Sequence, residues 1–432
     1  MGSTASPLRV QSNNFSDEGT RRLEVHSSVT ALANNIELHA DLDVGGGSDF
    51  TLAGVISGLG ELYKVDNNTL TLAGNNSDFS GGIYVQQGNV RLMHANAAGT
   101  GVLQMGGPSG PSVTFGVSST VNGIFGDNAT DRIYLDSGVG MTVNQTAYSQ
   151  YLGTFVSNGS GTSLVFKGPS AGSPVQLRLA GSSSLFTGTT TIQGGILLVA
   201  SNKSAFGPSG NVVALTGGKL AVEGDVTLSN ALTLTSGKLG GVGTIEPATT
   251  LHIGGSGSNQ VVLAPGVTGP GTLNFSGARL SSIPVLSLDA GGAYQWQLMD
   301  AGNSNGGWDK VVVTGSVAIG APESGKPAFT FKLTTVASDG SLGLASFDPT
   351  VSASWKVLTA TSITGSLANL AIDTAAFQNP FVGFFGLSVN PAKTELFVNF
   401  TSVPEPSTYV LLSSGLAALA FTLRRRKSPP RG

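Results

Sequence analysis

The chain has 432 residues, of which only 11% are charged and 40% hydrophobic, with 62 glycines, 19 prolines and no cysteine. That apolar content excludes a disordered chain, and the missing thiol excludes disulfides, thiolate nucleophiles and Cys-ligated zinc. The net charge is −3, yet the last nine residues carry five cations, leaving a body of −8 that lacks the basic footprint of a nucleic-acid binder.

The N-terminus, "MGSTASPLRVQSNN", shows no apolar leader core. It fits a Met-Gly-x-x-x-Ser myristoylation pattern through Gly2 and Ser6, but a late start or a missing leader accounts better for the stretch. Residues 1–25 are expected to be disordered or truncated, with regular structure from 26 onward. "TLTLAGNNSDFSGGIYVQQGNVRL", starting at Thr69, aligns without a gap on "QLRLAGSSSLFTGTTTIQGGILLV", starting at Gln176, at an offset of 107. Phe79 meets Phe186, Val85 meets Ile192, and Gly81 and Gly88 meet Gly188 and Gly195. A looser third cycle runs from Leu220. Apolar residues alternate with small polar ones in short runs broken by Gly and Asn, the signature of short strands. Such strands bury a face only when stacked. Over 26–284 they predict a parallel β-solenoid with coils of roughly 20–25 residues, so that 107 residues make about four or five coils. A β-sandwich is the alternative; an ungapped repeat favours the solenoid. Phe79 and Phe186 are then inward, Asn75 and Asn76 at corners, and eleven or twelve coils give a rod of roughly 50–60 Å.

The stretch "TLAGVISGLGELYKVDNNTLTLAGNNSDFSGGIYVQQGNV", 51–90, resembles the autotransporter-associated β-strand repeat. Gly54, Ile56, Ser57, Gly58, Gly60, Leu62 and Lys64 fit its first part, and Thr69, Leu72, Gly74, Gly81, Gly82, Val85 and Gly88 the rest. Asp66, Asn67 and Asn68 replace the usual glycines; Asp and Asn tolerate the left-handed conformation, so the turn survives. "LAPGVTGPGTLNFSG", 263–277, resembles the solenoid-closing segment of the same proteins. The resemblance implies a secreted right-handed parallel β-helix passenger and no catalysis.

From 285 to 401 more alternating strands follow, including "AYQWQL", "AFTFKLTTV" and "ELFVNFT". They predict a small C-terminal β domain or final coils that cap the solenoid, since an open last coil leaves an unpaired edge.

No chemistry assembles along the way. His26, His39, His94 and His252 stand at no metal-ligand spacing. Asp41 with Asp43, and Glu37 with His39, share strand faces without further partners. "GGGSDFTL" at 45–52 is a lone, weak likeness to a calcium-binding nonapeptide, and "GPSGPS" at 107–112 is a loop without a following helix. Sequons stand at Asn67, Asn75 and Asn128. The expectation is a protein without catalytic, metal or cofactor residues. The alternative, a polysaccharide-active β-helix enzyme, requires carboxylates gathered on one ledge.

The tail, 402–432, differs from everything before it. Pro404, Glu405 and Pro406 precede a 15-residue uncharged run, 409–423, and then Arg424, Arg425, Arg426 and Lys427. The run is marginal for a span, which needs about 17–25 residues. The cations place the C-terminus in the cytoplasm and the body outside. A self-inserting autotransporter would end in amphipathic barrel strands instead. This order of features resembles the PEP-CTERM sorting signal. That resemblance implies processing by a bacterial exosortase, with Pro404, Glu405 and Pro406 as recognition motif, 409–423 as a transient membrane helix and the four cations as stop-transfer. The expected destination is the inner membrane as precursor, then the cell surface or extracellular matrix, with extracellular polysaccharide as a possible partner.

Overall fold

The computed structural model describes residues 7–11, 21–26, 28–170, 173–257, 259–280, 283–403 and 414–422. Within them the period-two alternation becomes stacked parallel strands. Leu42–Gly46, Phe50–Leu52 and Ile56–Gly58 form one coil with three faces, and Leu62–Lys64 begins the next. Leu42 lies in register with Leu62, Leu62 with Ile83, and Ile83 with Leu103. All four are buried, so each coil places its apolar side chain on that of the coil beneath. The first face continues this way through fifteen described strands, from Arg22–Val25 to Leu370–Ala376. At β-strand spacing that is a stack of about 65–70 Å. This is a parallel β-helix.

Regular structure starts earlier than residue 26. Leu8–Val10 pairs with Ile36–Leu38, and Arg22–Val25 with Leu42–Gly46. The signal was faint because the two strands are only three and four residues long.

At the corners the ladder lapses, and side chains take over from backbone partners. Asn35 Oδ1 accepts from the Val55 amide at 2.9 Å, Asp41 Oδ1 from Glu61 at 2.8 Å and Asp49 Oδ1 from Thr69 at 2.7 Å, each bond spanning 20 residues. Asn76 is wholly buried; its Oδ1 accepts from Ile56 one coil back and its Nδ2 donates to Ala97 one coil on, both at 2.8 Å. Asp66 takes φ 63°, the left-handed turn expected where the repeat usually has glycine. Gly54 and Gly74 stack at one corner, where a Cβ on either would come within 2.1 Å of a carbonyl oxygen in the coil below.

The 107-residue repeat maps onto the coils in an unexpected way. Phe79 and Phe186 are both fully buried, as anticipated. Yet Thr69–Leu72 belongs to the second face, while the matching residues of Val175–Leu179 belong to the first. Ile83–Val85 lies on the first face, but Thr189–Ile192 lies on the third. The second copy thus sits four turns and two faces further on. Inward alternation, which any face accepts, is what the repeat preserves.

Parallel pairing crosses residue 285 without interruption: Asn259–Pro265 with Ala293–Leu298, Thr272–Ser276 with Lys310–Thr314, and Leu251–Ile253 with Leu286–Leu288. Coils lengthen here, from the 20 residues between Leu42 and Leu62 to the span separating Phe331 from Ile372. Larger side chains fill the wider core. Trp296, Trp355 and Tyr294 are fully buried, with donors satisfied by the carbonyls of Asp309 (3.1 Å), Ala301 (3.1 Å) and Val357 (3.3 Å). Closure is antiparallel: Glu395–Ser402 lies between Ala353–Thr359 and Gly383–Val389, over a cluster of Phe347, Phe377, Phe381, Phe385 and Phe400. Direction reverses on this second face, so its ladder cannot simply be extended by another parallel strand, whereas the other two faces end in parallel pairs.

Two lysines are held unusually. Lys64 occupies an inward position, is wholly buried, and donates to the Val65, Asp66 and Gln87 carbonyls. Lys219 is half-buried and donates to Gly266 and Val267 carbonyls. Burial pushes both amines down to about 8. Between that value and the ordinary lysine range the unfolded chain binds more protons, so stability rises with pH from about 8 to 10. Above 10 the buried Tyr151 and Tyr294, whose hydroxyls burial pushes up, hold protons that the unfolded chain releases, and the trend reverses.

Two outcomes are expected. Phe186→Ala lowers stability by about 3–5 kcal/mol in chemical denaturation, whereas a change near zero would deny the inward stacking role. The wild-type protein is expected to be more stable at pH 9.5 than at pH 7.5; an unchanged midpoint would show that the lysines are not desolvated.

Candidate functional site

The titratable residues singled out by sequence are dispersed over the coils. His26 is exposed. His39 Nε2 lies 2.8 Å from Glu37 Oε1, and Glu37 also pairs with Arg9 at 3.0 Å. His94 Nδ1 accepts from the Asn96 amide in a turn at 3.1 Å, and His252 Nδ1 lies 2.7 Å from Asp289 Oδ2. Asp41 is spent on a corner bond, and burial pushes the Asp43 carboxyl up, Arg22 opposing. Among the described residues no group of three or more His, Asp or Glu could hold a metal ion. Gly45 and Gly46 lie in a strand and Asp49 serves a corner, which accounts for the nonapeptide-like stretch. The sequon asparagines named above are engaged as well: Asn67 accepts from Gln87, Asn75 from Asn96, and Asn128 donates to the Gly107 carbonyl.

Sequence reading missed a set of ion pairs that skip a coil. Arg22 pairs with Asp66, Arg91 with Asp136, and Arg178 with Glu223 in a bidentate bond of 2.8 and 2.8 Å. The separations are 44, 45 and 45 residues, two coils in each case. Each arginine points out of a strand, and each acid follows the end of the strand two coils later. The spacing was visible in the sequence, but only a known coil length gives it meaning.

The tail begins where the cap ends. Glu395–Ser402 is bonded on both sides, and the Val403 amide still donates to Val382 at 3.1 Å. Pro404, Glu405 and Pro406 come next and lie outside the described residues, as do Arg424, Arg425, Arg426 and Lys427. The described part of the apolar run is a helix over 414–422, with Leu416 61%, Leu419 59% and Phe421 74% exposed. Nine residues rise about 14 Å, less than half of a hydrocarbon core. Among the described residues no helix is long and apolar enough to cross a membrane. The expected transmembrane helix is therefore not found among the described residues.

The profile of the PEP-CTERM protein-sorting motif matches residues 402–427. The chain carries a PEP-CTERM sorting motif. The match starts on the last residue of the cap strand and ends on the last residue of the cation block. Such a motif marks a surface protein for exosortase processing and export to the cell surface. Further, 156 residues, 34% of the chain, are 30% identical to the adhesin BmaC autotransporter of Brucella suis biovar 1 (strain 1330). The chain spans about 4% of that relative's length. The similarity supports the autotransporter-like character of the repeats.

Glu405 is the only charge between the cap strand and the cation block. Glu405→Ala is expected to leave uncut precursor in cells that hold an exosortase, visible as a mass difference in the C-terminal peptide. Neutral replacements of Arg424, Arg425, Arg426 and Lys427 are expected to impair retention and orientation instead. Normal processing of Glu405→Ala would remove the carboxylate from recognition.

Proposed function

We propose that this chain is a non-enzymatic surface or extracellular-matrix protein of a bacterium, displayed as a rigid β-helix once an exosortase has acted on its tail. The observation that carries this reading is the sorting motif set directly on the closing strand of the β-helix.

The run 409–423 serves as a weak, temporary membrane anchor. Leu416, Leu419 and Phe421 are exposed on the described helix, and an apolar environment relieves that exposure. A short span suits an intermediate awaiting cleavage, with the four cations holding the C-terminus on the cytoplasmic side. The displayed coils contribute contact with extracellular polysaccharide or adhesion, in keeping with the printed description of the relative as an adhesin. Outward positions rich in Thr, Ser and Asn offer hydrogen bonds without strong charge. Nothing in the arrangement of His39, His252 or their carboxylate partners calls for catalysis.

The purified chain is expected to release no reducing ends and no unsaturated products from pectin, alginate or the producing cell's own matrix. Turnover of any of them would overturn the non-enzymatic reading. The mature surface protein is expected to lack Arg431 and Gly432. Recovery of the intact C-terminus there would make the tail a permanent anchor.

A further inference from the structure

The outward side chains of the first face are not uniformly polar. Between the inward positions, Asp43, Tyr63, Tyr84, Gln104 and Phe125 stand in register on five consecutive coils. Three of the five are aromatic, on an outer surface otherwise dominated by small residues. Tyr63 and Tyr84 are half-buried and meet edge to face, centroids 5.5 Å apart. The Tyr63 hydroxyl donates to Glu61 Oε2 at 2.6 Å, a bond that pushes it up to about 12 and keeps it protonated.

A groove of about 270 Å³ opens beside Tyr84, walled by Gln86, Gln87, Gly106 and Ser109. Gly106 makes the room. A Cβ there would lie 3.1 Å from the Tyr84 hydroxyl and 2.9 Å from Asp127 Oδ1, so both groups converge on the space that the missing side chain leaves. A phenol and two primary amides thus border one small hollow on a row of rings, with the Asp127 carboxylate beside Gly106.

We propose that this row and groove bind a neutral, extended hexopyranose chain lying along the axis of the β-helix. The inference rests on the surface-protein reading above. Three features select this ligand. Coils repeat every 4.7–4.9 Å or about that, close to the length of one sugar residue in an extended chain, so equivalent side chains meet equivalent sugars. Rings supply apolar faces for the C–H surfaces of pyranoses, while amides and carboxylate match hydroxyl donors and acceptors. The charge disfavours acidic polysaccharide: Glu61 and Asp127 flank the row, its outward positions from Tyr63 to Phe125 include no cation, Lys64 is inward and buried, and Arg22, in register with Asp43 one coil before Tyr63, is paired with Asp66.

The test is calorimetric titration of the full chain with cellohexaose and mannohexaose, and with an alginate hexamer as the acidic comparison. At least one neutral hexamer is expected to bind, and alginate at least tenfold more weakly. Tyr84→Ala and Tyr63→Ala are each expected to weaken binding tenfold or more, and Tyr84→Phe by less than threefold. Gly106→Ala crowds the Tyr84 hydroxyl and Asp127 Oδ1 at one edge of the groove; it is expected to weaken binding tenfold or more while a cooperative melting transition is kept. Thr71→Ala, outward on the second face, leaves affinity unaltered. Absence of binding by both neutral hexamers, equal affinity for alginate, or full affinity in Gly106→Ala and Tyr84→Ala would each overturn the proposal. Tail processing is read separately from the C-terminal peptide, so failure here leaves the sorting reading standing.

Discussion

The in-register parallel ladder is the constraint on which the rest depends. Leu42, Leu62, Ile83 and Leu103 each cover one neighbour and are covered by the next. A three-stranded coil of 20 residues encloses too little apolar surface to persist alone, so burial is shared along the stack. The same requirement fixes the corners. Every coil must close at nearly the same height, hence glycines where carbonyls approach within 2.1 Å of a Cβ position, and Asn76 or Asp41 where ladder bonds lapse. It also explains the low charge. Inward positions exclude ions, and the inward Lys64 is tolerated only because three carbonyls receive its protons.

Much of this was legible in the residues because the pattern is local. Alternation in "TLTLAG" and "GGIYVQQG" reports which side chains turn inward, and Phe79 and Phe186 lie where that pattern puts them. Asn76 was anticipated at a corner but is a buried bridge between coils; polarity in the sequence does not reveal whether an amide faces water or two backbones. Face identity was also hidden. The 107-residue copies occupy different faces because a solenoid core is nearly equivalent all round, so sequence similarity need not preserve angular position. The strand at Leu8–Val10 escaped because short strands give weak alternation, and residues 285–401 could be read either as a separate domain or as final coils, because lengthening coils imitate a change of domain. The tail was legible as an ordered set of features, and its sorting motif was found there; its helix is described over only 414–422.

The tail and the body of the chain rely on different physics. Sorting is carried by a short linear motif at 402–427. Display depends on a body whose outward chemistry repeats once per coil. Arg22–Asp66, Arg91–Asp136 and Arg178–Glu223 reach over an intervening coil, so each links three coils. Individually such half-exposed pairs contribute little. Their geometry nevertheless opposes local opening between neighbours, which suits a surface that must keep its spacing.

The origin of the tail in Glu395–Ser402 has a mechanical consequence. This strand is central, bonded to Ala353–Thr359 on one side and to Gly383–Val389 on the other. A pull on the tail along the strand direction loads both antiparallel ladders in shear, so that many hydrogen bonds resist together. A pull across the ladders, as at an edge strand, would peel them one at a time. The phenylalanine cluster beneath, with Phe400 on the loaded strand itself, adds a plug that would have to leave the core before the strand could slide. Tension arriving through the tail is thereby spread over the widest coils of the body, away from the narrow ones that carry the aromatic row.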